Sequence, residues 1–518
     1  MTRHLIDVLR HFAAETPDAP CLAHDAALLS FAGLDQCSSR LANALLADGV
    51  VAGDRVAILD RTSSATYELF FACAKIGAIM MPLNWRLSAR EIAGILSDGT
   101  PSAILVAPDL VPLLAEAPAL PGQIALGAPY VAWRDAASDV DPAIPHAPAD
   151  PLLLLYTSGT TGTPKGVILT HDSHAYNGRI AAEAWGFTAD SVNLVAMPLF
   201  HIGGIGYGMM ALSQGGHTVL LQQPDPAAVM ALIARHGITH AFFVPTVIQR
   251  LVEYAEQGGV VATGLQRMIY GAAPIGESIL RRALAAFGCS FTHAYGMTET
   301  SGTVVELGPD DHDPDGPHAH RLRSCGRPLP WVDLALVDLA TGKPVAQGDV
   351  GEIRMRSAMN MLGYWKKPAE TLATITADGW LCTGDAAWQD ADGYLYIHDR
   401  YKDMIVSGGE NIYPAELENA LAAHPQIAEV AVIGTPHPRW GETPRAYVVT
   451  RSDPAPSETE LIAFTRERLA HYKCPTSVVF VSALPRNASG KLLKCDLRML
   501  DRQTPDAVLS RTDPRTER

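Results

Sequence analysis

Short continuous apolar runs recur along this chain, each followed by a stretch with helical spacing, and that alternation limits the folds open to it. Arg55 to Leu59 (RVAIL) reads as a buried strand, Ser64 to Gly77 as a helix and Ala78 to Pro82 as the next strand. The pattern recurs at Ala103 to Val106, Thr218 to Gln222, Ala241 to Val244 and Met268 to Tyr270. Strands that are apolar throughout must be covered on both faces. Alternation with helices therefore predicts an α/β fold of parallel-rich sheets flanked by helices. Leu5, Leu9 and Phe12 fall at helical spacing, so the chain is expected to open with an amphipathic helix.

At 518 residues the chain exceeds one ordinary core, and two or more domains are expected. Gln123 to Pro151, rich in Pro, Ala and Asp, reads as mostly irregular surface, and Asp311 to His320 as a second polar loop. From Val332 to Ser357 the alternation becomes shorter and β-rich, around a turn at Thr341-Gly342-Lys343. After Arg400 the pattern changes again. Helices at Glu416 to His424 and Glu458 to Ala470 enclose strands at Glu429 to Gly434 and Arg445 to Thr450, a compact α+β unit. The polar tail Gln503 to Arg518 reads as frayed.

The net charge of -15 argues against a nucleic-acid binder, which would usually show a basic stripe, and disfavours docking on an anionic membrane, with a local basic patch left open. The eight cysteines are scattered singly with no CxxC pair, which reads as reduced thiols in a cytoplasmic protein. Met1 to Pro20 carries Asp7 and Glu15 and no apolar h-region, so it does not read as a signal peptide. No apolar run is long enough to cross a membrane.

The apolar run Leu152 to Tyr156 leads into Thr157-Ser158-Gly159-Thr160-Thr161-Gly162-Thr163-Pro164-Lys165-Gly166. Glycines let backbone N–H groups converge on an anion, the hydroxyls add donors and Lys165 adds charge, a chemistry suited to a polyphosphate. It is not a Walker A loop, because Pro164 precedes the lysine and Gly166 follows it. Tyr156 to Val167 resembles the signature loop of the adenylate-forming superfamily: acyl-CoA synthetases, adenylation domains of peptide synthetases and firefly luciferase.

The resemblance continues in order to Lys491. Gly271-Ala272-Ala273-Pro274 is similar to the segment that lies along the adenine in that family. Tyr295-Gly296-Met297-Thr298-Glu299-Thr300 is similar to a motif in which the tyrosine stacks on adenine, the threonine holds the α-phosphate and the glutamate holds Mg²⁺. Those roles would fall on Tyr295, Thr298 and Glu299, and the chemistry agrees. A flat ring can stack, a hydroxyl can donate, and Mg²⁺ prefers a few oxygen ligands plus phosphate. Asp385, in Thr383-Gly384-Asp385, would accept from the ribose hydroxyls, although TGD alone is a common turn. Arg400 would contact the ribose and Lys402 would be the hinge. Ser407-Gly408-Gly409 would line the thioester-forming face, and Lys491, in Ser489-Gly490-Lys491, would be the catalytic lysine.

The resemblance implies a large N-terminal adenylation domain (1–399) with a small β-barrel-like part, a hinge (400–402) and a mobile C-terminal α+β domain (403–518). It implies ATP, Mg²⁺ and coenzyme A as cosubstrates or cofactors, and a small carboxylic acid as substrate. A homodimer stays open. Pro198-Leu199-Phe200-His201-Ile202-Gly203-Gly204 and Phe242-Phe243-Val244-Pro245-Thr246 are similar to segments that wall the acid pocket, with His201 a candidate gate. They are mostly apolar and uncharged, which suits a monocarboxylate. Malonate-activating relatives carry an arginine just before the Tyr-Gly-Met-Thr-Glu motif, where this chain has Ala294. The closest wording is that of medium- or long-chain fatty acyl and aryl (feruloyl-like) synthetases, and aliphatic and aromatic acids both fit an apolar slot. Two alternatives stand beside an acyl-CoA synthetase. One is an enzyme that loads a separate acyl carrier protein. The other is a non-catalytic nucleotide sensor, which the presence of both Glu299 and Lys491 disfavours.

Overall fold

The computed structural model describes residues 4–25, 27–157, 164–273, 275–400, 403–407, 410–451, 455–486 and 492–503. Two compact units divide the chain: Met1–Leu334 with Arg354–Cys382, and Ala335–Ile353 with Thr383–Arg518.

The first unit holds two large sheets. One has seven strands, in the order Gly363–Tyr364, Lys165–Thr170, Pro151–Thr157, Ile79–Pro82, Arg55–Leu59, Ala103–Val106 and Gln123–Ala125. Its apolar strands run parallel, and Lys165–Thr170 pairs antiparallel on either side. The other has nine strands: Arg327–Pro328, Gly302–Leu307, Ser290–Met297, Arg267–Gly271, His240–Phe243, Val192–Val195, His217–Leu220, Pro20–His24 and Ala27–Ser30. Its middle, from Ser290–Met297 to Pro20–His24, is parallel throughout. The strands expected from apolar runs are present, and each is buried along most of its length.

Local chemistry sets the helix limits. Ser88 and Glu91 form a reciprocal capping box at the start of Ala89–Gly99, and Gly77 ends Ser64–Ile76 in the left-handed conformation at φ 67°. The helix Ser64–Ile76 is buried almost throughout, so its polar groups need internal partners. Lys75 donates to the Asp35 carboxylate at 2.7 Å and to Ser39 Oγ at 2.6 Å. Glu68 accepts from Arg134 and from the Tyr130 hydroxyl, both at 2.6 Å.

That last contact qualifies one expectation. Gln123 to Pro151 is irregular over most of its length, but it also supplies the edge strand Gln123–Ala125 and the helix Ala128–Asp135, which were not expected. A three-residue edge strand and an eight-residue helix are too short to display a period. The helix is tied down instead by Tyr130 and Arg134 reaching back to Glu68.

The second unit contains most of a four-stranded sheet, ordered Asp333–Val337, Gly351–Arg356, Leu381–Gln389 and Leu395–Arg400. It also holds a five-stranded sheet built on the long hairpin Ile427–His437 and Gly441–Thr450. One face of that hairpin packs Val432, Ala446 and Val448 with Leu417, Leu421 and Leu461 of two helices. The other packs Ala431, Ile433 and Tyr447 with Leu497. This is the α+β unit expected after residue 400. None of the eight cysteines is in a disulfide, and no helix among the described residues is long and apolar enough to cross a membrane.

Burial in the first unit has a consequence for acid stability. It holds the pKa of His174, His201, His217, His240, His293 and His312 at about 4 and that of His171 at about 3. An unfolded histidine titrates near pH ~6.5. Between these values the unfolded chain binds more protons than the folded one, so stability falls as pH falls through that window. We expect the thermal unfolding temperature of the free protein to drop steadily from about pH 7 to about pH 5, with several protons taken up on unfolding. A flat unfolding temperature across that range would contradict the buried neutral histidines.

Candidate functional site

Four of the segments singled out in the sequence leave the nine-stranded sheet at one edge. Val192–Val195, His240–Phe243, Arg267–Gly271 and Ser290–Met297 are successive parallel neighbours. Their carboxyl ends deliver residues 197–204, 244–246, 271–273 and 295–300 to the same side, the usual place for a ligand in an open α/β sheet. Gly271 pairs with Ala294, and a Cβ on Gly271 would lie 2.2 Å from the Ala294 carbonyl oxygen, so only glycine fits there. Ala272 follows at φ 65°, a conformation non-glycine residues rarely adopt, and this turns the chain off the strand end.

Tyr295 and Thr298 are half-buried at this edge, while Glu299 is 8% exposed. A turn at Thr298–Thr300 sets Glu299, and the Thr300 hydroxyl locks it. Thr300 Oγ1 accepts from Met297 N–H at 3.1 Å and lies 2.8 Å from the Gly302 carbonyl oxygen. The Glu299 carbonyl accepts from Met361 N–H at 2.8 Å, and its carboxylate accepts from the Tyr364 hydroxyl at 2.9 Å. Among the described residues, no cation pairs with this carboxylate. A single buried carboxylate of this kind suits a cation that brings phosphate and water ligands with it. No group of three or more His, Cys, Asp or Glu among the described residues could hold a metal ion by itself.

The phosphate-loop candidate belongs to the seven-stranded sheet. Thr157 and Lys165, which bracket this segment, are register partners on antiparallel strands. Ser158, Gly159, Thr160, Thr161 and Gly162 lie outside the described residues. Lys165 directs its ammonium at the ring of Tyr364, 4.8 Å from the centroid. The structure also explains why glycine follows this lysine. A Cβ on Gly166 would lie 2.8 Å from Leu154 and 3.2 Å from Trp365, whose N–H donates to the Gly166 carbonyl at 2.8 Å.

His201 precedes the helix Ile202–Gly208, and its Nε2 is buried with no hydrogen-bond partner among the described residues. Burial, with Arg86 nearby, pushes its pKa down to about 4, so near neutral pH it is an uncharged ring. Alternation along His240–Phe243 puts Phe242 and Phe243 on opposite faces. Phe242 is the one beside the His201 helix, with Tyr207 5.4 Å away between ring centroids.

In the second unit, Thr383 Oγ1 donates to the Ile353 carbonyl at 2.7 Å and accepts from Asp385 N–H at 3.1 Å. The turn thereby orients Asp385, which is 7% exposed and is the cross-strand partner of Arg400. Two residues assigned separately to the ribose are thus neighbours. Ser407 ends the strand Ile405–Ser407. Pro274, Lys402, Gly408, Gly409 and Lys491 lie outside the described residues. Arg486 and Leu492, which flank Lys491, pair across an isolated bridge.

Tyr364 was not anticipated from the sequence. Its only local mark is the run Gly363-Tyr364-Trp365, a glycine before two adjacent aromatics, between Met361-Leu362 and Lys366-Lys367.

Residues 9–365 match the family model described as AMP-binding enzyme, and residues 416–491 match the AMP-binding enzyme C-terminal domain. A fatty acid–[acyl-carrier-protein] ligase, ScoC, of Streptomyces coeruleorubidus is 38% identical over 502 residues, covering 95% of this chain and 96% of that protein. A feruloyl-CoA synthase of an Amycolatopsis species is 39% identical over 488 residues, covering 94% and 96%. The crystal structure of ATP-bound MatB from Rhodopseudomonas palustris matches with a TM-score of 0.88 at 30% identity, over 97% of this chain and 99% of that one. The chain belongs to the AMP-binding enzyme family, in the acyl-CoA ligase branch of the adenylate-forming superfamily, and is a ligase that joins an acid to a thiol.

Proposed function

We propose that the chain activates an apolar monocarboxylic acid with ATP, releasing pyrophosphate, and passes the acyl group from acyl-AMP to coenzyme A. The observation that carries this reading is the placing of a buried carboxylate, Glu299, and an ammonium, Lys165, on one tyrosine beside the strand ends that carry residues 271–273 and 295–300.

In the first step a carboxylate oxygen attacks the α-phosphorus, and the bond to the β-phosphate oxygen breaks. The obstacle is the approach of an anion to a polyphosphate, so the site must supply positive charge and donors rather than a base. Lys165 and the 157–165 loop meet the phosphates, Thr298 donates to the α-phosphate, Tyr295 stacks on adenine, and Asp385 with Arg400 takes the ribose. Glu299 would hold Mg²⁺, which neutralises phosphate charge when bound. We assign Lys491 to this step, bridging carboxylate and phosphate. The second step brings the thiol to the acyl carbonyl and releases AMP, and we assign it to the Ser407-Gly408-Gly409 loop after rotation about Lys402.

Several features support an acid whose acyl chain carries no charge. Ala294 is buried and apolar where a dicarboxylate would need a cation, His201 is neutral, and Phe242 faces the same helix. A second reading of the acceptor, the thiol of an acyl carrier protein, is favoured by the similarity to ScoC.

Acyl transfer with octanoate, a longer fatty acid, a cinnamate and malonate, each offered coenzyme A or a holo carrier protein, decides among these. We expect thioester on coenzyme A from an apolar acid and none from malonate. Thioester formed only on the carrier would establish the second reading, and malonate as best substrate would contradict the assignment of Ala294. Lys491→Ala should lower adenylation by at least about a hundredfold, as loss of one oxyanion-stabilising donor does, while thioester formation from synthetic acyl-AMP is largely kept. Equal loss in both half-reactions would contradict the division of labour.

A further inference from the structure

Tyr364 stands between the two charged groups of the nucleotide site and touches both. Its hydroxyl donates to Glu299 Oε1 at 2.9 Å, and its ring face carries the Lys165 ammonium 4.8 Å from the centroid. Among the described residues no ion pair joins Lys165 to Glu299 or to any other carboxylate. A neutral ring with a single donor does what neither charge could do for the other. It orients the carboxylate through one oxygen, leaving lone pairs for a cation, and it holds the ammonium weakly enough for a phosphate to take it. If Lys165 and Glu299 paired directly, each would occupy the group the other must release to the substrate.

The backbone that carries the ring is pinned on both sides. Tyr364 N–H donates to Thr371 Oγ1 at 2.9 Å, and Tyr364 pairs across the sheet with Val167. On either side, Leu362 N–H donates to Ile168 O at 2.9 Å and Trp365 N–H to Gly166 O at 2.8 Å. The Trp365 indole and the Lys366 ammonium both donate to the Asp98 carbonyl, at 3.1 Å and 2.6 Å. The strand that carries Lys165 is therefore stitched to the segment that carries Tyr364.

We infer that Tyr364 is a positioning residue that keeps Glu299 and Lys165 apart and aimed, one at the metal of the metal–nucleotide complex and the other at its phosphates. This rests on the nucleotide site proposed above. The roles separate by substitution. Tyr364→Phe keeps the ring and removes the donor, and Tyr364→Leu removes both.

The test is calorimetric titration of the full chain with α,β-methylene ATP, with and without Mg²⁺. For Tyr364→Phe, the gain in affinity that Mg²⁺ confers should shrink about tenfold, the scale of a lost hydrogen bond to a charged group, with metal-free affinity unchanged. Tyr364→Leu should also lose metal-free affinity. In turnover assays Tyr364→Phe should raise the Mg²⁺ concentration for half-maximal rate and leave the KM for the acid alone. Should Tyr364→Leu fail to fold, Tyr364→Phe decides by itself. A Tyr364→Phe protein that binds like wild type in both conditions, or loses the same factor in both, overturns the inference while leaving the nucleotide site standing. Wild-type protein that does not bind the analogue overturns both.

Discussion

The hydrogen bond from Tyr364 to Glu299 joins the two large sheets of the first unit at the proposed nucleotide site. Glu299 follows a strand of the nine-stranded sheet, and Tyr364 sits on the edge strand of the seven-stranded one. Each sheet alone presents only half of the proposed site, a carboxylate on one side and a lysine-bearing strand on the other. A buried hydrogen bond to a charged group is strong and directional, so the junction is specified as well as stabilised. Much of the surrounding structure serves it. Gly166 lets Trp365 approach, Asp98 anchors Trp365 and Lys366, and Thr300 locks the turn that sets Glu299.

Elsewhere the first unit buries polar groups that have no part in this site. Lys75 with Asp35 and Ser39, and Glu68 with Tyr130 and Arg134, tie the helix Ser64–Ile76 to its neighbours. Such pairs add little net stability compared with apolar packing, but removing one partner strands a buried charge. They fix which helix face meets which neighbour, so the sheet edges keep their places under the site.

The sequence shows the parts of the site more clearly than their joints. Strand–loop segments such as 152–166, 268–273 and 290–300 are legible because an apolar run stops at residues with special backbone or donor chemistry. The parallel order of the strands then follows from helices between them. What joins the parts was not legible. Tyr364 meets Glu299 and Lys165 through pairing between distant strands, and nothing local to Gly363-Tyr364-Trp365 announces it. The pairing of Asp385 with Arg400 depends on register in the same way. Phe242 and Phe243 are adjacent in the chain but fall on opposite faces, and only the register settles which one faces the His201 helix. The short strand and helix within 123–135 were not legible because their order comes from tertiary contacts at Tyr130 and Arg134 and not from their own period.

The proposed site makes an acyl-adenylate before any thiol is involved. Exchange of labelled pyrophosphate into ATP in the absence of coenzyme A tests it most directly, since only reversible adenylate formation returns the label. We expect exchange that requires both an apolar carboxylic acid and Mg²⁺. No exchange with any acid that supports thioester formation, or exchange that proceeds without an acid, would contradict it.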